Sequence, residues 1–344
     1  MNTYRTLVFA AACLTLLAVV VGAYVRLSDA GLGCPDWPGC YGKLTPDHAG
    51  GQIARAVEAQ GGAHGPVSMP KAWKEMGHRY LAGALGLMLA AIAILAWLRR
   101  SFLRQSPWLA TALVLVVAAQ ATLGKWTVTM LLKPAIVTAH LAGGMTTLAL
   151  LVWLALRQWQ FAAARDAAGG KALRGLAVFA LATVCVQIVL GGWVSTNYAA
   201  LACPDLPLCR GAVVPPMDFA NAFHVVRELG MTSDGGLLSN EALTAIHWMH
   251  RLFALPVAAI LGLLAFRLMG RGGHRGLGVL LLVALGAQIA LGVANVAFSL
   301  PLVLAAAHNA GAALLLAVLV MINYLVFHGL ELACVDVRSS HPSH

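Results

Sequence analysis

Residues 75–79 read Glu75-Met76-Gly77-His78-Arg79, and residues 247–251 read His247-Trp248-Met249-His250-Arg251. Each stretch opens a long apolar run. Each is followed by a Gln-x-x-x-Gly segment, Gln120 to Gly124 and Gln288 to Gly292, and then by a further histidine, His140 and His308. The three pairs His78/His250, Gln120/Gln288 and His140/His308 are separated by 172, 168 and 168 positions. Two cysteine pairs follow the same register, Cys34/Cys40 and Cys203/Cys209, each 169 positions apart. The chain is therefore read as one plan used twice.

Of the 344 residues, 60% are hydrophobic and only 10% are charged. Soluble domains carry about 25% charged residues, so the composition predicts an integral membrane protein. The net charge of +10 does not point to nucleic acid. The basic residues sit in short connectors between apolar runs, where membrane topology puts them. A span needs roughly 20 apolar residues. Eight runs qualify, at 6–25, 77–98, 107–130, 135–156, 176–196, 248–268, 276–298 and 302–327. Strand-like alternation is missing from them, so they are expected to be helices, which satisfy their own backbone in lipid. The first run follows Arg5 and resembles a signal peptide in length. It has no clear cleavage site behind it, and the repeat needs it as the partner of 176–196. It is read as a retained helix.

The expected fold is all-α, with eight transmembrane helices forming two four-helix bundles. Four spans per half is an even number, so both halves enter the membrane from one side. They are expected to be related by a pseudo-two-fold axis along the membrane normal. The division falls at 1–165 and 166–344. One set of connectors holds Arg99, Arg100 and Arg104, then Arg157, Arg165, Lys171 and Arg174, then Arg267, Arg271 and Arg275. The positive-inside rule puts these and both termini in the cytoplasm, and the expected setting is a bacterial inner membrane. The loops 27–76 and 197–247 then lie on the periplasmic side with all four repeated cysteines, where an oxidising compartment permits the disulfides Cys34–Cys40 and Cys203–Cys209. The segment 219–240 is expected to form a short amphipathic helix over the second half.

His78 and His250 are placed in the first turn of their helices, and His140 and His308 five to seven residues into theirs. At 1.5 Å per residue this puts the second pair roughly 10 Å deep. Ionisable groups at such places are costly and usually functional. Two imidazoles from facing helices suit the two axial positions of a haem iron. They suit zinc less, because a structural zinc site takes four ligands. A proton relay and plain hydrogen-bonded core histidines are the other readings. His247 competes with His250, but the register aligns His250 with His78 and His247 with Glu75. The remaining histidines, His48, His64, His224, His274, His328, His341 and His344, have no repeat partners and are expected in loops or the tail, solvated.

Arg79 and Arg251 offer planar donor forks that match carboxylates, so haem propionates and lipid headgroups are both candidates for them. Glu75 shares a helix face with His78 and is a candidate general acid or base, or a stabiliser of developing positive charge. The contrast of Glu75 with His247 suggests one half that holds a fixed cofactor and another that does chemistry. The two Cys-x5-Cys loops read either as small staples or as redox-active pairs. Cys13, Cys185 and Cys334 read as ordinary thiols.

Gly31-Leu32-Gly33-Cys34-Pro35-Asp36-Trp37-Pro38-Gly39-Cys40-Tyr41-Gly42-Lys43, the Glu75-to-Arg79 segment with His140, and His250-Arg251 with His308 together resemble the haem A synthase family over almost the whole chain. The resemblance implies oxidation of a ring methyl of haem O to a formyl, by successive hydroxylations, to supply haem A to terminal oxidases. It implies haem b as cofactor, with His250 and His308 as its axial ligands. It implies that His78 and His140 bracket the substrate haem O iron, with Glu75 as the catalytic carboxylate. Membrane lipid surrounds such a protein; haem O synthase or oxidase assembly factors are candidate partners, with an electron partner of unspecified identity. A di-haem b electron-transfer cytochrome and a haem-handling or transport protein are the alternative readings. Glu75 favours the enzyme, because bis-histidine electron transfer needs no such carboxylate.

Overall fold

A computed structural model of the chain describes residues 2–62, 65–159, 161–163 and 170–334. His64, Arg165, His341 and His344 lie outside the described residues. In chain order the helices are α1 (Asn2–Leu27), α2 (Gly50–Ala59), α3 (Met69–Leu98), α4 (Arg100–Leu103), α5 (Trp108–Thr129), α6 (Pro134–Leu156), α7 (Gly170–Thr196), α8 (Phe219–Ala222), α9 (Asn240–Met269), α10 (Arg275–Ala297) and α11 (Leu302–His328). Among the described residues eight helices are long and apolar enough to cross a membrane: α1, α3, α5, α6, α7, α9, α10 and α11, the α10 span counted from Gly272. The chain is an integral membrane protein of all-α class.

The first four spans close a ring, α1 on α3, α3 on α5, α5 on α6 and α6 on α1. The last four do the same, α7 on α9, α9 on α10, α10 on α11 and α11 on α7. Between the rings, α6 packs on α7, α11 packs on α1, and α6 packs on α11. Exchanging the two halves maps each of these pairings onto another of them, except α6 with α11, which maps onto itself. In this arrangement α3 and α6 stand on opposite corners of one ring, as α9 and α11 do of the other. Their inward faces meet across the bundle rather than side by side.

The backbone repeats in detail. Left-handed φ values at non-glycine residues recur in register at Asp29 and Tyr198, Tyr41 and Arg210, Leu131 and Ser299, and Leu132 and Leu300. The last four residues form the tight α5–α6 and α10–α11 turns. L-residues avoid this region, so its recurrence reports a shared chain path and not chance.

Lipid offers no hydrophobic driving force between helices, so packing and interhelical hydrogen bonds hold the rings together. The largest apolar cluster runs across both halves. It joins Met145 and Leu148 of α6 to Leu261 and Leu264 of α9, Leu281 of α10 and Leu316 and Leu319 of α11. Within it Asn323 Nδ2 donates to Ala177 O at 3.0 Å, tying α11 to α7. A second cluster, with Val8, Leu89, Leu113 and Leu151, fills the end of the first ring farther from the cysteine loops.

Three expectations need correction. First, α3 and α9 each begin about two turns before their apolar runs. Ser68 caps α3 by accepting from Lys71 N, and Ser239 caps α9 by accepting from Ala242 N at 3.1 Å. His78 and His250 therefore sit in the third helical turn, not the first. The extra turns are amphipathic and support the outer loops, so hydropathy alone misses them. Second, segment 219–240 holds only the single turn α8. The rest is loop, pinned by buried Arg227, whose Nη2 donates to Asn197 Oδ1 at 2.5 Å. Third, His274 is buried, not solvated; His328 is exposed, but it ends α11 instead of lying in a loop or the tail, with Nδ1 2.7 Å from Tyr324 O. A small antiparallel pair, β1 (Phe161–Ala163) and β2 (Leu330–Cys334), also joins the α6–α7 connection to the chain beyond α11. It lies outside the spans and leaves the fold class unchanged.

Candidate haem-binding sites

Two copies of one loop cover the same end of the two rings. Cys34–Cys40 and Cys203–Cys209 are both disulfide-bonded, and all four cysteines are fully buried. In the first loop Asp36 accepts from Tyr41 N and Gly42 N at 2.6 and 2.7 Å. In the second, Asp205 accepts from Arg210 N and Gly211 N at 2.5 and 2.8 Å. The Gly211 N–H foremost holds the Asp205 carboxyl below its ordinary pKa, because donors favour the charged form. Glycine is needed where the chain turns at Gly42 and Gly211, with φ of +71° and +77°.

Each loop is docked on the helix that carries the first histidine. Cys34 N–H donates to Glu75 Oε2 at 2.9 Å, and Cys203 N–H faces His247 Nδ1 at 3.3 Å. Glu75 and His247 are therefore the same anchor in two chemistries, both buried at 5% exposure. The arginine one turn on completes the dock. Arg79 donates to Asp36 O at 2.7 Å, to Gly39 O, and to Glu75 Oε1 in a buried ion pair. Arg251 Nη2 donates to Leu208 O at 3.0 Å and Pro207 O at 3.3 Å. Its Nη1 is buried and has no hydrogen-bond partner. Replacing a carboxylate by an imidazole at position 247 thus leaves one guanidinium with an uncommitted donor.

Below the first loop, the His78 and His140 rings face each other with centroids 6.4 Å apart and planes 88° to one another. Metal–imidazole bonds are about 2 Å long. Two such bonds on opposite sides of one metal, with the ring radii added, span about this distance. His78 Nδ1 and His140 Nδ1 are both buried without a hydrogen-bond partner. In the second ring His250 and His308 occupy the matching corners, close enough to interact electrostatically. Among the described residues no cluster of three or more histidine, cysteine or acidic side chains exists that could hold a bare metal ion. Paired histidines without further protein ligands fit a group that brings its own equatorial ligands, as a haem does.

Glycines make the space. A Cβ added at Gly22 would lie 2.9 Å from His78 Cε1, and one at Gly191 would lie 2.9 Å from His250 Cε1. At Gly124 and Gly292 it would lie 3.2 and 3.1 Å from the Cε1 atoms of His140 and His308. Every histidine of the set thus rests against a glycine of the neighbouring helix. Gly124 and Gly292 are part of the Gln-x-x-x-Gly repeat. Gly22 and Gly191, 169 positions apart, are missed by motif reading, although the cysteine register points to them.

The model of the cytochrome oxidase assembly protein family matches residues 5–320. The chain belongs to that family. Its similarity to individual members extends nearly end to end. It is 43% identical over 329 residues to the haem A synthase of Shewanella oneidensis, covering 94% of this chain and 95% of the relative. It is 30% identical over 324 residues to the haem A synthase of Methylobacterium radiotolerans, covering 89% and 85%. It is 28% identical over 326 residues to that of a Caulobacter strain, covering 90% and 92%.

Proposed function

We propose that this chain is a haem A synthase, an enzyme that oxidises the ring methyl of haem O to a formyl by successive hydroxylations. The observation that carries the reading is the His78–His140 pair, held at iron-bracketing separation, with a buried carboxylate, Glu75, one turn before His78 on α3. The half at 1–165 is the substrate half, and the half at 166–344 holds the cofactor. His78 and His140 would bracket the substrate haem O. His250 and His308 would hold a resident haem b, which when bound would supply one-electron redox chemistry.

Glu75 divides the two halves chemically. Buried beside the substrate, its carboxylate is suited to take up a proton or to stabilise positive charge developing on the reacting carbon, an effect larger in a water-poor site. Arg79 balances that charge and fixes the carboxylate's position. Arg251, with its free Nη1, is the better propionate anchor of the two arginines. Arg79 is already committed to Glu75 and the loop carbonyls.

The cysteine loops are assigned to the periplasmic face of a bacterial inner membrane, with the arginine-rich connectors and both termini in the cytoplasm. A lipid-embedded site suits a substrate with a long isoprenoid tail, delivered by haem O synthase or an assembly factor. Expression with a supply of haem O, followed by extraction and mass identification of the haems, tests the assignment. Haem A is the expected product. Only haem b and unmodified haem O, with oxidant and reductant supplied, would instead indicate an electron-transfer or haem-handling protein.

A further inference from the structure

Near its histidines the second ring holds two polar side chains with unspent hydrogen-bonding groups, and the matching places in the first ring hold none. On α10, Gln288, Gly292 and Asn295 follow at i, i+4 and i+7 and share one helix face. That face looks at the α11 histidine. Gln288 Nε2 donates to His308 O at 3.1 Å, and a Cβ at Gly292 would lie 3.1 Å from His308 Cε1. Asn295 stands three residues further on, about 4.5 Å nearer the end that the Cys203–Cys209 loop covers. It is 9% exposed, its Oδ1 is buried without a partner, and its Nδ2 makes no hydrogen bond. Buried polar groups are nearly always paired, and an unpaired one inside a membrane span marks a place where something else binds.

Arg251 supplies the second unspent group, from the residue after His250 on α9, the helix packed against α10. Its Nη2 donates to Pro207 O and Leu208 O, while Nη1 is buried without a partner. The first ring closes both places. Thr127, 168 positions before Asn295, donates its hydroxyl to Gly124 O at 2.7 Å. Arg79 turns Nη1 to Asp36 O and Gly39 O and Nη2 to Glu75. The partnerless glutamine Oε1 and histidine Nδ1 atoms do not separate the rings, since both rings have them, at Gln120, Gln187 and Gln288 and at His78, His140 and His308.

We propose that Asn295 joins Arg251 in holding the carboxylates of the haem bound in the second ring, and that this site thereby selects a tetrapyrrole with free acid side chains. An arginine fork and an amide NH2 are both donors, and a carboxylate is the acceptor that suits a cationic donor beside a neutral one. Rotation of the Asn295 amide brings its NH2 to either end of the group. The inference rests on the assignment of His250 and His308 to a haem and adds to Arg251 a second, independent donor.

The test uses the full-length protein prepared without haem, in a His78→Ala background so that binding reports the second ring. Iron protoporphyrin IX and its dimethyl ester, the same ring without free carboxylates, are titrated in and followed by the Soret band. The parent is expected to bind the free acid about 10–100-fold more tightly than the ester. Asn295→Leu, close in volume but without the amide, is expected to lose about tenfold for the free acid and nothing for the ester. Asn295→Thr, which gives the second ring the residue of the first, is expected to narrow the preference in the same way and serves should Asn295→Leu fail to fold. Equal affinity of the parent for the two compounds would overturn the proposal. So would an equal loss of both in the folded variants, because a residue that merely supports the helix supports both alike. His250→Ala in the same background separates the two levels: if it binds iron protoporphyrin IX with the parent's spectrum, the ligand assignment itself fails, whatever Asn295 does.

Discussion

The phenol of Tyr198 donates to Asp29 Oδ1 at 2.8 Å, and these residues occupy the same place in the two halves, 169 positions apart. Beside them Arg26 Nη2 donates to Ser195 O at 2.6 Å, again across 169 positions, and the Arg26 guanidinium lies 3.9 Å from the Tyr198 ring centroid. These contacts form a seam between the two halves beside the cysteine loops. Lys133 and Glu228, paired at 2.7 Å, extend the seam from the α5–α6 turn to the second loop. Because several contacts share the load and Tyr198 is half exposed, Tyr198→Phe is expected to cost no more than about 1 kcal/mol. Thermal unfolding in detergent checks this. A loss several times larger would mean that the phenol, rather than the whole seam, joins the halves.

Glu75 and His247 anchor equivalent loops, and this permits a substitution that separates architecture from chemistry. Glu75→His keeps an acceptor for the Cys34 N–H but removes the carboxylate. It is expected to leave the fold and the resident haem b spectrum intact and to abolish haem A formation, measured by haem extraction and mass. Haem A production at the wild-type rate would remove Glu75 from the chemistry and leave it a loop anchor.

The histidine pairs predict opposite spectral outcomes. His250→Ala and His308→Ala should each eliminate the resident low-spin haem b spectrum. His78→Ala and His140→Ala should keep that spectrum and lose product formation. A preparation in which His78→Ala removes the resident haem while His250→Ala does not would exchange the roles of the two halves.

Small-residue contacts give a finer version of the same test. Gly191→Ala would push a methyl group to 2.9 Å from His250 Cε1, and Gly22→Ala would do so at His78. Displacement of a reacting group by about an ångström costs on the order of 10²-fold in rate. Gly22→Ala is therefore expected to depress turnover by up to that factor while haem b content stays whole. Gly191→Ala should lower haem b content first. Pyridine haemochrome quantitation with product analysis distinguishes the two.

Much of this architecture is legible in the sequence, for physical reasons that also set the limit. The eight spans stand out because lipid demands long apolar helices. The repeat stands out because cysteine, histidine and glutamine are conspicuous among leucine and alanine. The early starts of α3 and α9 do not stand out, since Pro70, Lys71 and Lys74 interrupt the apolar run, although Ser68 and Ser239 are sound capping residues. The alignment of Glu75 with His247 is visible in the register. Their common partner, a backbone N–H of the cysteine loop, is not, because main-chain donors carry no residue signature. Arg79 matches a carboxylate on paper, and it does find one. That carboxylate is its own neighbour Glu75, four residues back.

The Asp29–Tyr198 contact also bears on ancestry. In a dimer of identical four-helix subunits, a residue on the axis can meet only its own copy. Two aspartates would repel there, and two tyrosines would offer each other no anion. A carboxylate can face a phenol at that spot only where the two halves differ in sequence, as they do in this chain. Divergence between the halves replaces self-pairing by a complementary contact, and the same freedom lets a glutamate stand at position 75 where an imidazole stands at position 247.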